Sequence, residues 1–206
     1  IESTRSKIAF QLGLQAGLRE SECFALTWSD IDFEKKKIKV CKQLLYQDKQ
    51  WCFAPLKTVN SYRSVNITAE FAQYLADMKM QHDAERKLYG DGYKRNFVTD
   101  RREPKKEEVI EVPDFINVKA NGEMLTTNGA KFLARIIKKD LGIHFKFHNL
   151  RHTYATVLAE NGLNPRYVQE MLGHSKLEFT LRYYTHITEK MSDAAENALT
   201  AAFRFD

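Results

Sequence analysis

HNLRHTYATVLAENGLNPRYVQEMLGHSKLEFTLRYYTH, from His148 to His186, sets Arg151 among several histidines and beside the adjacent pair Tyr183-Tyr184, all on short helical segments. Arginine offers a planar fork of donors that keeps its charge, histidine exchanges a proton near neutral pH, and tyrosine carries a hydroxyl that can act as a nucleophile. Together these groups can handle a phosphate without a metal. The stretch predicts a helix from near His148 to Gly162. Asn164-Pro165 then supplies the cap and first turn of a shorter helix that closes at Gly173.

His148 and Arg151, three residues apart at a helix start, project from one face, where free amide donors also favour an anion. An isolated HxxR more often pairs a core histidine with a surface arginine, so its weight comes from its neighbours. His148 and His152 have a spacing seen in zinc sites, but no HExxH glutamate accompanies them, so no metal is expected. His152 reads as structural, and His144 and His82 read as surface residues. His174 stands on the turn after Leu172-Gly173, ten residues before Tyr184. With nine tyrosines in the chain, most are expected to pack with a wet hydroxyl.

Immediately upstream, Thr126 or Thr127 should cap a helix. Lys131, Arg135, Lys138 and Lys139 share one face of it, and Phe132, Ile136 and Ile137 lie towards another. Six cations against one acid between Lys131 and Arg151 suit a phosphate backbone as well as a solvated face. Phe115 to Val118 and Glu123 to Leu125, around Asn121-Gly122, predict a minor hairpin. Glu85 to Glu111 mixes eight Lys or Arg with seven Asp or Glu and reads as a solvated, mobile loop.

At the N-terminal end a helix from Arg5 to Ala16 should stop at Gly17, followed by a short one from Glu20 to Leu26. Arg19 would then stand at their junction, aimed into a cleft. Between Phe33 and Ile67, alternation at Ile38 and Val40, Trp51 and Phe53, and Val65 and Ile67, separated by turn-like clusters at Gln47 to Gln50 and Val59 to Ser61, predicts three short antiparallel strands in one small sheet. Thr68 should cap a helix running to Gly90. A last helix from about residue 188 carries an apolar stripe from Met191 to Phe203 that needs a surface to cover.

The chain has 206 residues, 43% of them apolar, enough for one globular core. A net charge of +5 is compatible with a polyanionic partner without requiring one. Cys23, Cys41 and Cys52 form no CxxC pair, which fits a reducing cytoplasm. The absence of a long apolar run argues against a membrane partner. A chain that opens on IESTRSK, already in helical pattern, is expected to be cut from a longer parent.

HNLRHTYAT, LGHS and YYTH in this order, with GLRESE upstream at Gly17 to Glu22, resemble the tyrosine recombinase (phage integrase) family over nearly the whole chain. The wording is closest to integrases of conjugative transposons and phages. The resemblance implies an α+β catalytic domain, mainly helical with a small antiparallel sheet, occupying residues 1–206, with its DNA-clamping domains upstream. By the same resemblance Arg19 and Arg151 are the catalytic arginines and Lys57, in PLKTVNSYRSVNI, is the hairpin lysine, with Lys42 and Lys49 as alternatives. Glu22 positions Arg19, His148 and His174 serve the phosphate, and Tyr184 is the nucleophile, with Tyr183 as its rival.

The implied activity is cleavage and rejoining of double-stranded DNA through a 3′-phosphotyrosine, for integration and excision of a mobile element, with no cofactor. The implied partners are four protomers on two duplexes, the last helix docking on a neighbour, and an excision factor; the setting is the bacterial nucleoid. A helix-turn-helix binder without chemistry and a type IB topoisomerase are the competing readings.

Overall fold

The computed structural model describes residues 7–103, 105–185, 196 and 199–202. Helix α1 (Lys7–Gln15) buries Ile8, Ala9 and Leu12, and α2 (Glu20–Ala25) buries Cys23, Phe24 and Ala25. Between them Gly17 turns with φ +62°, a conformation that strains side chains with a Cβ. Full burial of Leu12, Leu18 and Phe24 contributes about 1.5–3 kcal/mol each.

Among the described residues, seven strands form two small sheets. In the first, β1 (Ile31–Asp32), β2 (Lys37–Val40) and β5 (Arg63–Asn66) pair antiparallel, with Ile38 opposite both Ile31 and Val65. In the second, β3 (Gln43–Gln47) and β4 (Gln50–Ala54) form a hairpin whose turn residues Asp48 and Lys49 both have positive φ, 50° and 63°. That conformation suits the right-handed twist of the strands. Strand β6 (Phe97–Asp100) lies parallel to β4, and β7 (Glu108–Glu111) closes the edge. Helix α3 (Ala69–Tyr89) makes the crossover, and its cap Thr68 accepts the Phe71 amide at 3.1 Å.

Two expectations are corrected here. Between Phe33 and Ile67 the three strands of one sheet become four, β2 to β5, divided between two sheets, and the segment from Glu85 to Glu111, expected to be a loop, holds the end of α3 together with β6 and β7. Its charges neutralise one another in pairs, Arg101 with Asp48 and Glu107, and Arg102 with Asp100, while Val98 and Thr99 turn inward. Of the minor hairpin, only a tight turn and a single bridge between Val118 and Met124 form.

Helices α4 (Thr127–Leu141), α5 (His148–Glu160), α6 (Pro165–Leu172) and α7 (Leu177–Leu181) follow. In α4, Ala130, Leu133 and Ile137 are buried. Phe132, expected on an apolar side, is 58% exposed, because the buried stripe runs one residue over. His82, expected at the surface, stacks edge-on against Trp28. Helix α5 lies against α1 at Gly13, where an added Cβ would come within 2.9 Å of Leu150. That approach carries the start of α5 to the end of α1. A second small core of Ala155, Val168 and Leu172 seats the rings of Tyr183 and Tyr184. The expected helix from about 188, with its stripe from Met191 to Phe203, lies outside the described residues except for helical positions at 196 and 199–202.

Candidate active site

Arg19 precedes the first turn of α2, where Glu22 reaches back to accept its backbone amide at 2.9 Å. The same carboxylate takes the Arg19 guanidinium at 2.7 Å, leaving the Arg19 side chain 35% exposed. Arg151 arrives from α5 and is 1% exposed. Its fork donates to the Gly17 carbonyl at 2.7 Å and to the Leu172 carbonyl. Its Nε is buried with no hydrogen-bond acceptor among the described residues, a donor that costs about 1–3 kcal/mol when left unpaired.

These arginines meet at the C-terminal end of α6. Arg19 donates to the Gly173 carbonyl at 3.1 Å, next to the one Arg151 holds. Arg63, from β5, donates to the preceding carbonyl, Met171, at 2.8 Å. The last carbonyls of a helix lack intrahelical partners and form its negative end, so three guanidinium groups fit there electrostatically. Burial and the charges of Arg19 and Arg63 lower the Arg151 pKa to about 9, which leaves it protonated at neutral pH. Burial pushes the Glu22 carboxyl up, but Arg63 first and Arg19 second override it and bring its pKa to about 2.

Arg63 was missed by sequence reasoning, since nothing around SYRSV distinguishes it from a strand residue facing solvent. Its side chain is 5% exposed and pairs with Glu22 at 2.9 Å.

Gly173, at φ +65°, ends α6 and throws His174 into the cluster. The His174 amide returns to the Gln169 carbonyl, and the Gln169 side chain donates to the His174 carbonyl, both at 3.1 Å. The His174 Nδ1 lies 3.0 Å from the buried Thr180 hydroxyl. Burial, then the charges of Arg151, Arg19 and Arg63, lowers its pKa to about 4. His148, exposed at the start of α5, has its pKa lowered by partial burial first and then by His152 and the arginines.

Lys57 is exposed and lines a cavity of about 340 Å³ together with Arg19, Glu22, Ser61, Gly173 and Ser175. Lys42 is buried against Asp30 and Thr27 and does not line this cavity. Lys49 stands in the β3–β4 turn and does not line this cavity.

The tyrosine pair divides. The Tyr183 hydroxyl lies 2.8 Å from His152 Nδ1, and His152 stacks edge-on with His148 at 4.6 Å between centroids. Burial raises the Tyr183 pKa, and the charge of Arg151 pulls it back. The Tyr184 hydroxyl donates to the Leu163 carbonyl, and its pKa is raised by burial. His152, expected to be purely structural, thus touches the tyrosine segment directly.

Lys131, Arg135, Lys138 and Lys139 are all exposed on α4. Burial raises the pKa of Glu20, the residue after Arg19, and the charge of Lys131 pulls it back. Among the described residues no group of three or more His, Cys, Asp or Glu side chains is disposed to hold a metal ion, and no helix is long and apolar enough to cross a membrane.

Comparison with known proteins adds an independent line. Residues 1–191 match the profile described as the phage integrase family. A tyrosine recombinase XerC-like protein of Caldanaerobacter subterraneus subsp. tengcongensis is 30% identical over 212 aligned positions, covering 98% of this chain and 51% of that protein. The transposase of transposon Tn916 from Enterococcus faecalis is 29% identical over 176, covering 85% of this chain and 40% of its own length. The chain therefore spans about half the length of the curated relatives it matches. Among solved structures, the Tn1549 transposon integrase in complex with circular intermediate DNA superposes with a TM-score of 0.70 at 27% identity, over 95% of this chain and 60% of that one.

Proposed function

The chain belongs to the phage integrase family, and from that premise we propose that it is the catalytic domain of a site-specific recombinase that cuts and rejoins double-stranded DNA for the movement of a mobile element. The observation that carries the reading is the meeting of Arg19 and Arg151 on adjacent carbonyls at the edge of the cavity that Lys57 lines. In this reading the two guanidinium groups and His174 face the non-bridging oxygens of one phosphate and offset charge in the transition state.

The Tyr184 oxygen attacks phosphorus while the bond from phosphorus to the 5′-oxygen breaks. The phenol proton passes to neutral His148, and Lys57 gives a proton to the departing 5′-hydroxyl. A phenol with an ordinary pKa near 10 needs such help at neutral pH. Here Tyr184 must first leave the Leu163 carbonyl. A 5′-hydroxyl from another strand reverses the step and releases the tyrosine, so no external energy source enters.

The basic face of α4 would carry the DNA backbone through Lys131, Arg135, Lys138 and Lys139. Assembly as a tetramer on two duplexes, docking of the segment after residue 188 on a neighbour, upstream DNA-clamping domains and an excision factor that biases direction belong to the same proposal. The test is incubation with suicide duplexes carrying the joined ends of the element in EDTA. A covalent protein–DNA adduct, lost in Arg19→Ala, is expected; absence of any adduct from the intact protein on its own ends sinks the reading.

A further inference from the structure

Arg63 spends nearly its whole fork inside the cluster. Its Nη1 donates to Glu22 Oε1 at 3.2 Å and to the Ser61 carbonyl at 3.0 Å, its Nη2 to Glu22 Oε2 at 2.9 Å, and its Nε to the Met171 carbonyl at 2.8 Å. Glu22 is 1% exposed and accepts from both Arg19 and Arg63.

The charge count around this carboxylate matters for whatever enters the cavity. An Arg19–Glu22 pair standing alone would be neutral, and an incoming phosphate would have to displace the carboxylate or meet its repulsion. With Arg63 present, two cations surround the one anion, and a full positive charge is left over in addition to that of Arg151. It reaches solvent through Arg19, whose side chain is 35% exposed against 5% for Arg63. Ser61, held by Arg63, follows Lys57 in the wall of the same cavity, so the fork also ties that wall to the end of α6.

We infer that Arg63 is a positioning residue: it cancels the charge of Glu22 so that Arg19 offers a net positive charge to a DNA phosphate, and it fixes the Lys57 segment against the end of α6. The inference rests on the reading that Arg19 meets the phosphate.

The experiment titrates the protein with inorganic phosphate at low ionic strength and follows the Arg19 Nε–Hε resonance by NMR, with thermal unfolding of each variant alongside. In the wild type the resonance moves with phosphate. Arg63→Gln should weaken apparent phosphate affinity by about tenfold, since about 1.4 kcal/mol corresponds to that factor. Arg63→Lys, which keeps the charge, should stay within about threefold of wild type, and Glu22→Gln combined with Arg63→Gln should recover to the same range, because about one unit of charge is then again in surplus.

A folded Arg63→Gln that binds phosphate like the wild type overturns the inference. So does a double variant as weak as Arg63→Gln alone, since a purely structural role would leave it unrescued. Where Arg63→Gln does not fold, Arg63→Lys and the double variant decide, and a loss of binding in either, when folded, overturns the charge argument. A wild type that forms its DNA adduct yet shows no phosphate shift at Arg19 overturns this inference alone; one that does neither overturns the active-site reading as well.

Discussion

Arg19 and Arg151, brought from different helices, donate to the neighbouring carbonyls of Gly173 and Leu172 at one end of α6. The two residues are therefore fixed to a common backbone rather than to each other, which is how like charges can be held close without touching. The negative end of the helix offsets part of their repulsion.

Replacing Arg151 should separate the structural from the chemical part of this arrangement. Arg151→Lys keeps a charge but cannot span the Gly17 and Leu172 carbonyls, so a stability loss of about 1–3 kcal/mol is expected from the unpaired carbonyl. Adduct formation should fall by at least about a hundredfold, in line with losing a preorganised donor to the transition state. Chemical denaturation and single-turnover cleavage measure the two; a variant that cleaves at the wild-type rate contradicts the role given to Arg151.

Gly173→Ala probes the same junction through the backbone. Its φ is +65°, and a Cβ would stand 2.8 Å from the Asn60 carbonyl oxygen and 3.1 Å from the Ser61 Cα, both backbone atoms. Strain in the left-handed region together with this clash should cost about 2–3 kcal/mol and shift the Arg19 hydrogen bond. A melting temperature equal to the wild type would show that the turn can relax away from the 60–61 backbone.

The nucleophile is testable by adduct trapping. Tyr184→Phe should abolish the covalent complex, whereas Tyr183→Phe, which removes the 2.8 Å hydrogen bond to His152, should slow its appearance by about three- to tenfold. An adduct that survives Tyr184→Phe and disappears in Tyr183→Phe moves the assignment by one residue.

Acid should destabilise the protein in two windows. His174 has a folded pKa of about 4, below its unfolded value near 6.5, so the unfolded chain binds the proton more readily. The stability it contributes is full above about pH 6.5 and is lost as pH falls towards about 4. Glu22, with a folded pKa of about 2 against an ordinary 4.5, contributes stability present above about 4.5 and lost as pH falls towards about 2. His174→Gln should flatten the upper window and leave the lower one. An unchanged pH slope between about 6.5 and 4 in that variant removes His174 as the cause.

Salt dependence reports on α4. Neutralising Lys131, Arg135, Lys138 or Lys139 one at a time should flatten the slope of log affinity against log salt by about 0.9 for each phosphate that the side chain pairs with. Changing all four to Gln and finding the slope unaltered would make this a solvated face with no part in DNA binding.

How much of this could be read from the sequence varies with the range of the forces involved. The helix ends at Gly17, Gly90, Gly162 and Gly173 and the caps at Thr68 and Asn164 were legible, because caps and left-handed turns are decided within a few residues. The order of the motifs GLRESE, HNLRHTYAT, LGHS and YYTH stands in the sequence itself and carries the family resemblance. The strands in Glu85 to Glu111 were not legible, because a run of mixed charges reads as solvated until the fold pairs them, mostly with one another and, for Arg101, also with Asp48 of the β3–β4 turn. The turn at Asp48-Lys49 falls within the turn-like cluster from Gln47 to Gln50, but strand β3 before it was hidden, because its burial runs in consecutive residues instead of alternating.

What the chain determined by itself was the local geometry of each helix and the chemical kind of each group that meets at the end of α6. Only the tertiary structure decided that Arg63 joins them, that Lys42 is buried away from the cavity, and that Tyr183 and Tyr184 face His152 and Leu163 respectively. A local signal fixes where a helix begins and ends. Which charges share a buried carboxylate depends on the close approach of α1 to α5 at Gly13 and of β5 to α6, and that is settled by packing across the fold.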